Sequence, residues 1–168
     1  MNICLLTMTQ ELCRRFFEDF THDPDIFTDL SRLKLYSYSP EQADAHWQRQ
    51  RDLKRVHLAV MLGDEPIGEI VLKNIDRSKG CCTMGIHLQN DSRKNQGYGT
   101  EAELQALEYA FNNMGLNRVY ADALIQNRRS QHVLNKVGFK ETHRDETFVY
   151  YICEKQFWKR PKSDSLIQ

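Results

Sequence analysis

The sequence carries no surplus of either charge: Lys plus Arg and Asp plus Glu each number 23. General binders of nucleic acid or of anionic membrane are ordinarily basic, so neither partner is expected. No apolar run reaches the length of a membrane span. The opening MNICLLTMTQE has no basic n-region and meets acid early, so a secretory signal is not expected either. The cysteines are few and badly spaced for cross-linking. Cys4, Cys13, Cys81, Cys82 and Cys153 make an odd number, two of them adjacent, with no C-x-x-C. That pattern suits neither a disulfide framework nor a zinc site, and it points to reduced thiols in a cytoplasmic protein. Internal repeats and low-complexity stretches are also missing. What remains is 168 residues, 40% hydrophobic and 27% charged, which suits one globular domain.

Period and punctuation set the expected elements. A strand at Ile3–Leu6 precedes Thr7-x-x-Gln10, a capping-box pattern, and then Leu12, Phe16, Phe17 and Phe20 at helical spacing. Asp23-Pro24 breaks that pattern, and a second helical patch is read around Ile26–Leu33. Ser39-Pro40-Glu41-Gln42 starts a helix that ends near Lys54. Strands are expected at Val56–Leu62, Pro66–Leu72 and Cys81–Leu88, with turns at Gly63-Asp64-Glu65 and Asn74–Gly80. A long amphipathic helix follows, with Leu104, Leu107, Phe111 and Met114 on one face and Gly115 as its stop. Arg118–Leu124, Gly138–Thr142 and Thr147–Lys155 read as strands around a helix at Arg128–Val137. The order predicts an α+β domain over residues 1–158, with a polar tail at 159–168.

The segment Arg93-Lys94-Asn95-Gln96-Gly97-Tyr98-Gly99-Thr100 lies between a predicted strand and a predicted helix. Two glycines permit a tight turn, and the first-turn amides of a helix favour an anion. A diphosphate is one occupant; a plain glycine-rich turn is the alternative. The segment is neither a Walker loop nor a G-x-G-x-x-G dinucleotide fingerprint.

Lys94-x-x-Gly97-x-Gly99 resembles the pyrophosphate loop [Q/R]-x-x-G-x-[G/A] of the GNAT superfamily of N-acetyltransferases. Asn127-Arg128-Arg129-Ser130 and Lys136-Val137-Gly138-Phe139 resemble its second signature, N-x-x-S followed by K-x-G-F. The resemblance runs from the first strand to about Trp158. It is strongest toward the subgroup of ribosomal-protein N-terminal and polyamine acetyltransferases. It implies a central mixed, twisted sheet of six to seven strands flanked by about four helices. It also implies acetyl-CoA as co-substrate, no metal, and a small-molecule or peptide amine as acceptor, in a monomer or homodimer. The pyrophosphate would rest on the amides from Lys94 or Asn95 through Gln96, Gly97, Tyr98 and Gly99 to Thr100. Backbone groups of His87 and Leu88 would hold the pantetheine arm, with Asn127 and Ser130 on the far wall. Asn127 could equally cap the helix at Arg128. Two departures from the family stand out. Lys94 replaces the usual Gln or Arg, and Leu134 occupies the position where many members carry a tyrosine acid.

Amine acetylation needs a base, because a lysine-type amine has a pKa of about 10.4. Glu69 interrupts the apolar run Ile67–Leu72, and His87 carries an imidazole that can titrate near neutrality. Either could be the base, although strand alternation would turn Glu69 to solvent and His87 could simply pack outward. Ser130, Tyr150 and Tyr151 are proton-donor candidates. A Cys81 or Cys82 acyl-enzyme is disfavoured. Glu11, Glu18, Asp19, Asp23, Asp25 and Asp29, with Asp145 and Glu146, could attract a cationic amine or be solvated surface. Direct acetyl transfer to a primary amine is the leading reading. A non-catalytic acyl-CoA sensor of the same fold is the alternative.

Overall fold

The computed structural model describes residues 3–21 and 37–161. Seven strands form one sheet: β1 (Ile3–Thr7), β2 (Val56–Leu62), β3 (Glu65–Asp76), β4 (Cys81–Leu88), β5 (Arg118–Leu124), β6 (Lys140–Arg144) and β7 (Phe148–Glu154). The spatial order is β1-β2-β3-β4-β5-β7-β6. Every neighbouring pair is antiparallel except β4 and β5, which run parallel. Among the described residues the helices are α1 (Gln10–Glu18), α2 (Pro40–Asp52), α3 (Tyr98–Glu108) and α4 (Arg128–Val137). None of them is long and apolar enough to cross a membrane.

Strand β2 is covered on both faces, so it is apolar along almost its whole length rather than alternating. Leu58 and Val60 pack on one side with Leu104, Leu107 and Phe111 of the α3 region. Ala59 and Met61 pack on the other with Cys13 of α1 and Trp47 of α2. Phe16 of α1 is fully buried. Helix α2 starts where Ser39 accepts the Gln42 amide and Pro40 fills the first turn. Beyond α3 the chain makes one π-turn, Tyr109–Asn113, before Gly115 turns it out at a φ of 70°.

Several boundaries differ from expectation for local reasons. Thr7 still pairs with Leu58 in the sheet, so the cap of α1 falls to Thr9, whose hydroxyl accepts the Leu12 amide. Strand β3 runs on to Asp76 because it keeps pairing with β4 across an irregularity. Gly138 is the left-handed cap of α4, with φ 108°, and Phe139 drops into the core, so β6 begins only at Lys140. The helical patch at Ile26–Leu33 lies outside the described residues. In the segment read as a tail, Arg160 bonds to both Glu101 and Glu108 of α3.

Candidate active site

The parallel pair β4–β5 is joined only at its start, from Cys81–Arg118 to Thr83–Tyr120. Beyond Thr83 the strands part, and the sheet opens into a cleft of about 380 Å³ between Gly85–His87 and Ala121–Leu124. Strand β4 is still tied to β3 there, and the pairing fixes which way each backbone points. The Gln89 amide donates to the Ile67 carbonyl at 2.9 Å. Antiparallel alternation then turns the backbone groups of His87 toward β3 and those of Ile86 and Leu88 toward the opening. The His87 backbone expected against a pantetheine arm is therefore engaged within the sheet. Leu88 and Ile86 present theirs to the cleft, and His87 contributes its side chain.

At one end of the cleft stands the glycine loop. Asn95 and Gly97 adopt left-handed φ values of 59° and 81°, which fold the chain back so that α3 can start at Tyr98. The first intrahelical bond runs from the Glu101 amide to the Gly97 carbonyl. The earlier amides of the turn are left for an external acceptor. The Lys94 amide is not among them, since it donates to Asp91, so the available series begins at Asn95. The Tyr98 side chain packs on the core, and only its backbone belongs to the loop. Gln96 bonds to the Ser92 carbonyl, and Lys94 Nζ lies 2.5 Å from Asp91 Oδ1. Across from this turn, α4 contributes Arg129 and Lys136, both within the second signature, and His132 between them, along one edge. Their spacing of three and four residues is the signal that was there to read.

At the other end is Glu69. Register pairs it with Ala59 and with His87, and it is only 2% exposed. The alternation that would turn it to solvent is overruled because α1 and α2 cover that face of the sheet. His57 Nε2 lies 2.7 Å and His46 Nε2 3.0 Å from Glu69 Oε2, and His87 Nδ1 lies 3.1 Å from Oε1. Burial raises the Glu69 pKa, but the three imidazole hydrogen bonds outweigh it and hold the carboxyl well below its ordinary range. A carboxylate only accepts, so the neutral His87 ring carries its proton on Nδ1 and keeps the Nε2 lone pair. Half the His87 side chain is exposed to the cleft. Sequence reasoning missed His46 and His57, which come from α2 and β2. The donor atoms of His46, His57 and Glu69 lie within 4.8 Å of one another, the grouping among the described residues that could hold a metal ion. At these distances the imidazoles bond to the carboxylate directly, which accounts for its oxygens without an ion.

The remaining candidates separate cleanly. Asn127 caps α4 by accepting the Ser130 amide at 3.0 Å, and both residues also line the cleft, so cap and wall coincide. Leu134 is buried in the same wall. Neither tyrosine lines the cleft. Tyr151 is in the core, and the Tyr150 hydroxyl donates to Asp145 at 2.9 Å. Asp145 also accepts the Thr147 and Phe148 amides, a turn role. Glu11, Glu18 and Asp19 are exposed, while Asp23, Asp25 and Asp29 lie outside the described residues. Burial pushes the Cys82 thiol up to about 12, which removes it as a nucleophile at neutral pH.

Comparison with known proteins bears on the family and the fold. The Acetyltransferase (GNAT) domain model matches residues 2–140. The Bacillus subtilis (strain 168) protein named ribosomal N-acetyltransferase YdaF is 26% identical over 153 residues, 79% of this chain and 82% of its own. The ribosomal-protein-S5-alanine acetyltransferase of Vibrio fischeri superposes with a TM-score of 0.75 at 16% identity, over 95% of this chain and 96% of that one. AAC(6')-Ib, solved with ribostamycin and coenzyme A, gives 0.75 at 18% identity over 93% and 95%. The chain belongs to the GNAT acetyltransferase family.

Proposed function

We propose that the protein transfers acetyl directly from acetyl-CoA to a primary amine. The acceptor is a protein N-terminal or side-chain amine, or a small polyamine-like amine. One observation carries the reading: a single cleft has free helix-start amides at one end and a carboxylate-anchored imidazole at the other. The residues suit acetyl-CoA, whose diphosphate would meet the Asn95–Thr100 amides and the basic edge of α4. Its pantetheine would lie against the inward-facing backbone of Ile86 and Leu88, which can also polarise a carbonyl. Bound there, acetyl-CoA supplies the activated acetyl thioester.

His87 is the base. Its Nε2 takes the proton from the attacking amine, and Glu69 stabilises the imidazolium through Nδ1–H. Glu69 positions the ring and does not itself meet the amine, being buried behind it. Asn127 and Ser130 close the far wall.

The test is a thiol-release assay with acetyl-CoA against polyamines, aminoglycosides and short peptides with free N-termini. Release with one amine class is expected. Gly97→Glu should abolish it by forcing a left-handed turn on a side chain and putting an anion at the diphosphate site. Acetyl-CoA binding without release to any amine would favour the non-catalytic sensor, for which Leu134 in the tyrosine position speaks. No acetyl-CoA binding at all would overturn both readings.

A further inference from the structure

A second buried carboxyl lies in the cleft wall, on the opposite face of the sheet from Glu69. Glu103 belongs to the inward stripe of α3, between Thr100 and Leu107, and is 2% exposed. Its Oε2 has no hydrogen-bond partner among the described residues. Buried polar atoms in that state are uncommon, and each calls for an explanation. Glu103 lines both the opening between β4 and β5 and the cavity leading to the glycine loop, in each case together with His87, Asn127 and Ser130. The charged and titratable groups facing these cavities are Lys73 of β3, His87 of β4, Lys94 before α3, Asp122 of β5 and Arg129 of α4. None of them perturbs Glu103: burial is the sole cause that lifts its pKa from 4.5 to about 8. Burial therefore favours the protonated carboxyl, and its orphaned oxygen lies beside the cleft.

We propose that Glu103 is the general acid of the transfer, donating its proton to the coenzyme A sulfur as the thioester breaks. The inference rests on the acyl-transfer reading above. The amine nitrogen forms the new bond to the acetyl carbon and gives up its proton to His87. The carbon–sulfur bond breaks with its electron pair on sulfur. Sulfur takes the Glu103 proton and leaves as the thiol, and the Glu103 carboxylate recovers a proton from solvent when coenzyme A departs. A cysteine-like thiol has a pKa of about 8.5, so donor and acceptor are closely matched. Base and acid stand on opposite faces of one opening, which keeps the two proton transfers apart. Leu134, where the usual tyrosine is missing, lines the same cavity as Glu103.

Glu103→Gln keeps the shape and neutrality of the protonated side chain and removes the proton, and Glu103→Leu controls for folding. Infrared spectroscopy of the ligand-free protein should find a neutral carboxyl band that titrates away near pH 8 and is missing from Glu103→Gln. Calorimetric binding of coenzyme A should stay within about twofold, while kcat falls about 100-fold. The wild-type kcat should decline above about pH 8, and that limb should vanish in the variant. An unchanged kcat and pH profile would overturn the proposal. So would a carboxyl already ionised at pH 6, or a loss of coenzyme A affinity equal to the loss of rate. A wild type that releases thiol with no amine would instead sink the transferase reading, and this proposal with it. An active wild type matched by Glu103→Gln would sink only the role of Glu103.

Discussion

Glu69 and Glu103 are equally buried, yet their titrations are driven in opposite directions, and each leaves its own mark on stability. Three imidazole N–H donors hold Glu69 as the carboxylate. Its folded pKa lies below the ordinary 4.5, so its contribution is present above about pH 4.5 and is lost as the pH falls below that. Glu103 has no such donors, and its folded pKa of about 8 lies above 4.5. Its contribution is full below pH 4.5 and declines as the pH rises to about 8, by at most on the order of 5 kcal/mol. Thermal unfolding followed from about pH 3 to about pH 9 should therefore separate them. Glu103→Leu should flatten the decline between about pH 5 and 8, and Glu69→Gln should lessen the loss below about pH 4.5. Glu69→Gln should also cost about 3–5 kcal/mol near neutrality, because it strips a charged partner from a buried network. An unchanged alkaline slope in Glu103→Leu would contradict the assigned protonation state. The sequence singled out Glu69 as a break in an apolar strand but could not say what covered it. Glu103 was just as visible, a lone acid on the buried stripe of α3, although the reading of that helix followed only its apolar residues.

At the scale of elements, α4 does two things with one residue. Asn127 ends the path of β5, caps the helix through the Ser130 amide, and stands in the cleft wall. Asn127→Ala should lower stability by about 1 kcal/mol, as loss of an N-cap ordinarily does. It should also weaken acetyl-CoA binding, since the freed first turn no longer fixes Ser130 and Arg129. Unfolding curves and calorimetric titration of the same variant read the two effects, and a cap role alone would leave affinity untouched. Most elements were legible because their signals were local. Val56–Leu62, Cys81–Leu88, Arg118–Leu124 and Arg128–Val137 begin and end where period and punctuation place them. The errors arose where pairing with a distant strand decided the boundary, as at Thr7 and at Lys73–Asp76. The Glu69 cluster was hidden for the same reason: sheet register sets His57 and His87 beside Glu69, and the packing of α2 on that face adds His46.

Across the whole molecule, the parting of β4 from β5 organises the function. It opens a cleft in the middle of the sheet. The face covered by α1 and α2 carries Glu69 and His87, and the face covered by α3 and α4 carries the glycine loop and Glu103. In the proposed transfer, a donor along α3 and an acceptor from the α1 side would meet at that opening. Phe20 and Thr21, just beyond α1, line the adjoining cavity that leads to the glycine loop. The central claim is that His87 takes the amine proton at this meeting point. The most direct measurement is coenzyme A release by wild type and His87→Ala at saturating acetyl-CoA, with the amine acceptor found in the screen. The variant should be at least about 100-fold slower, with an unchanged Kd for acetyl-CoA. Equal rates in the two proteins would contradict it.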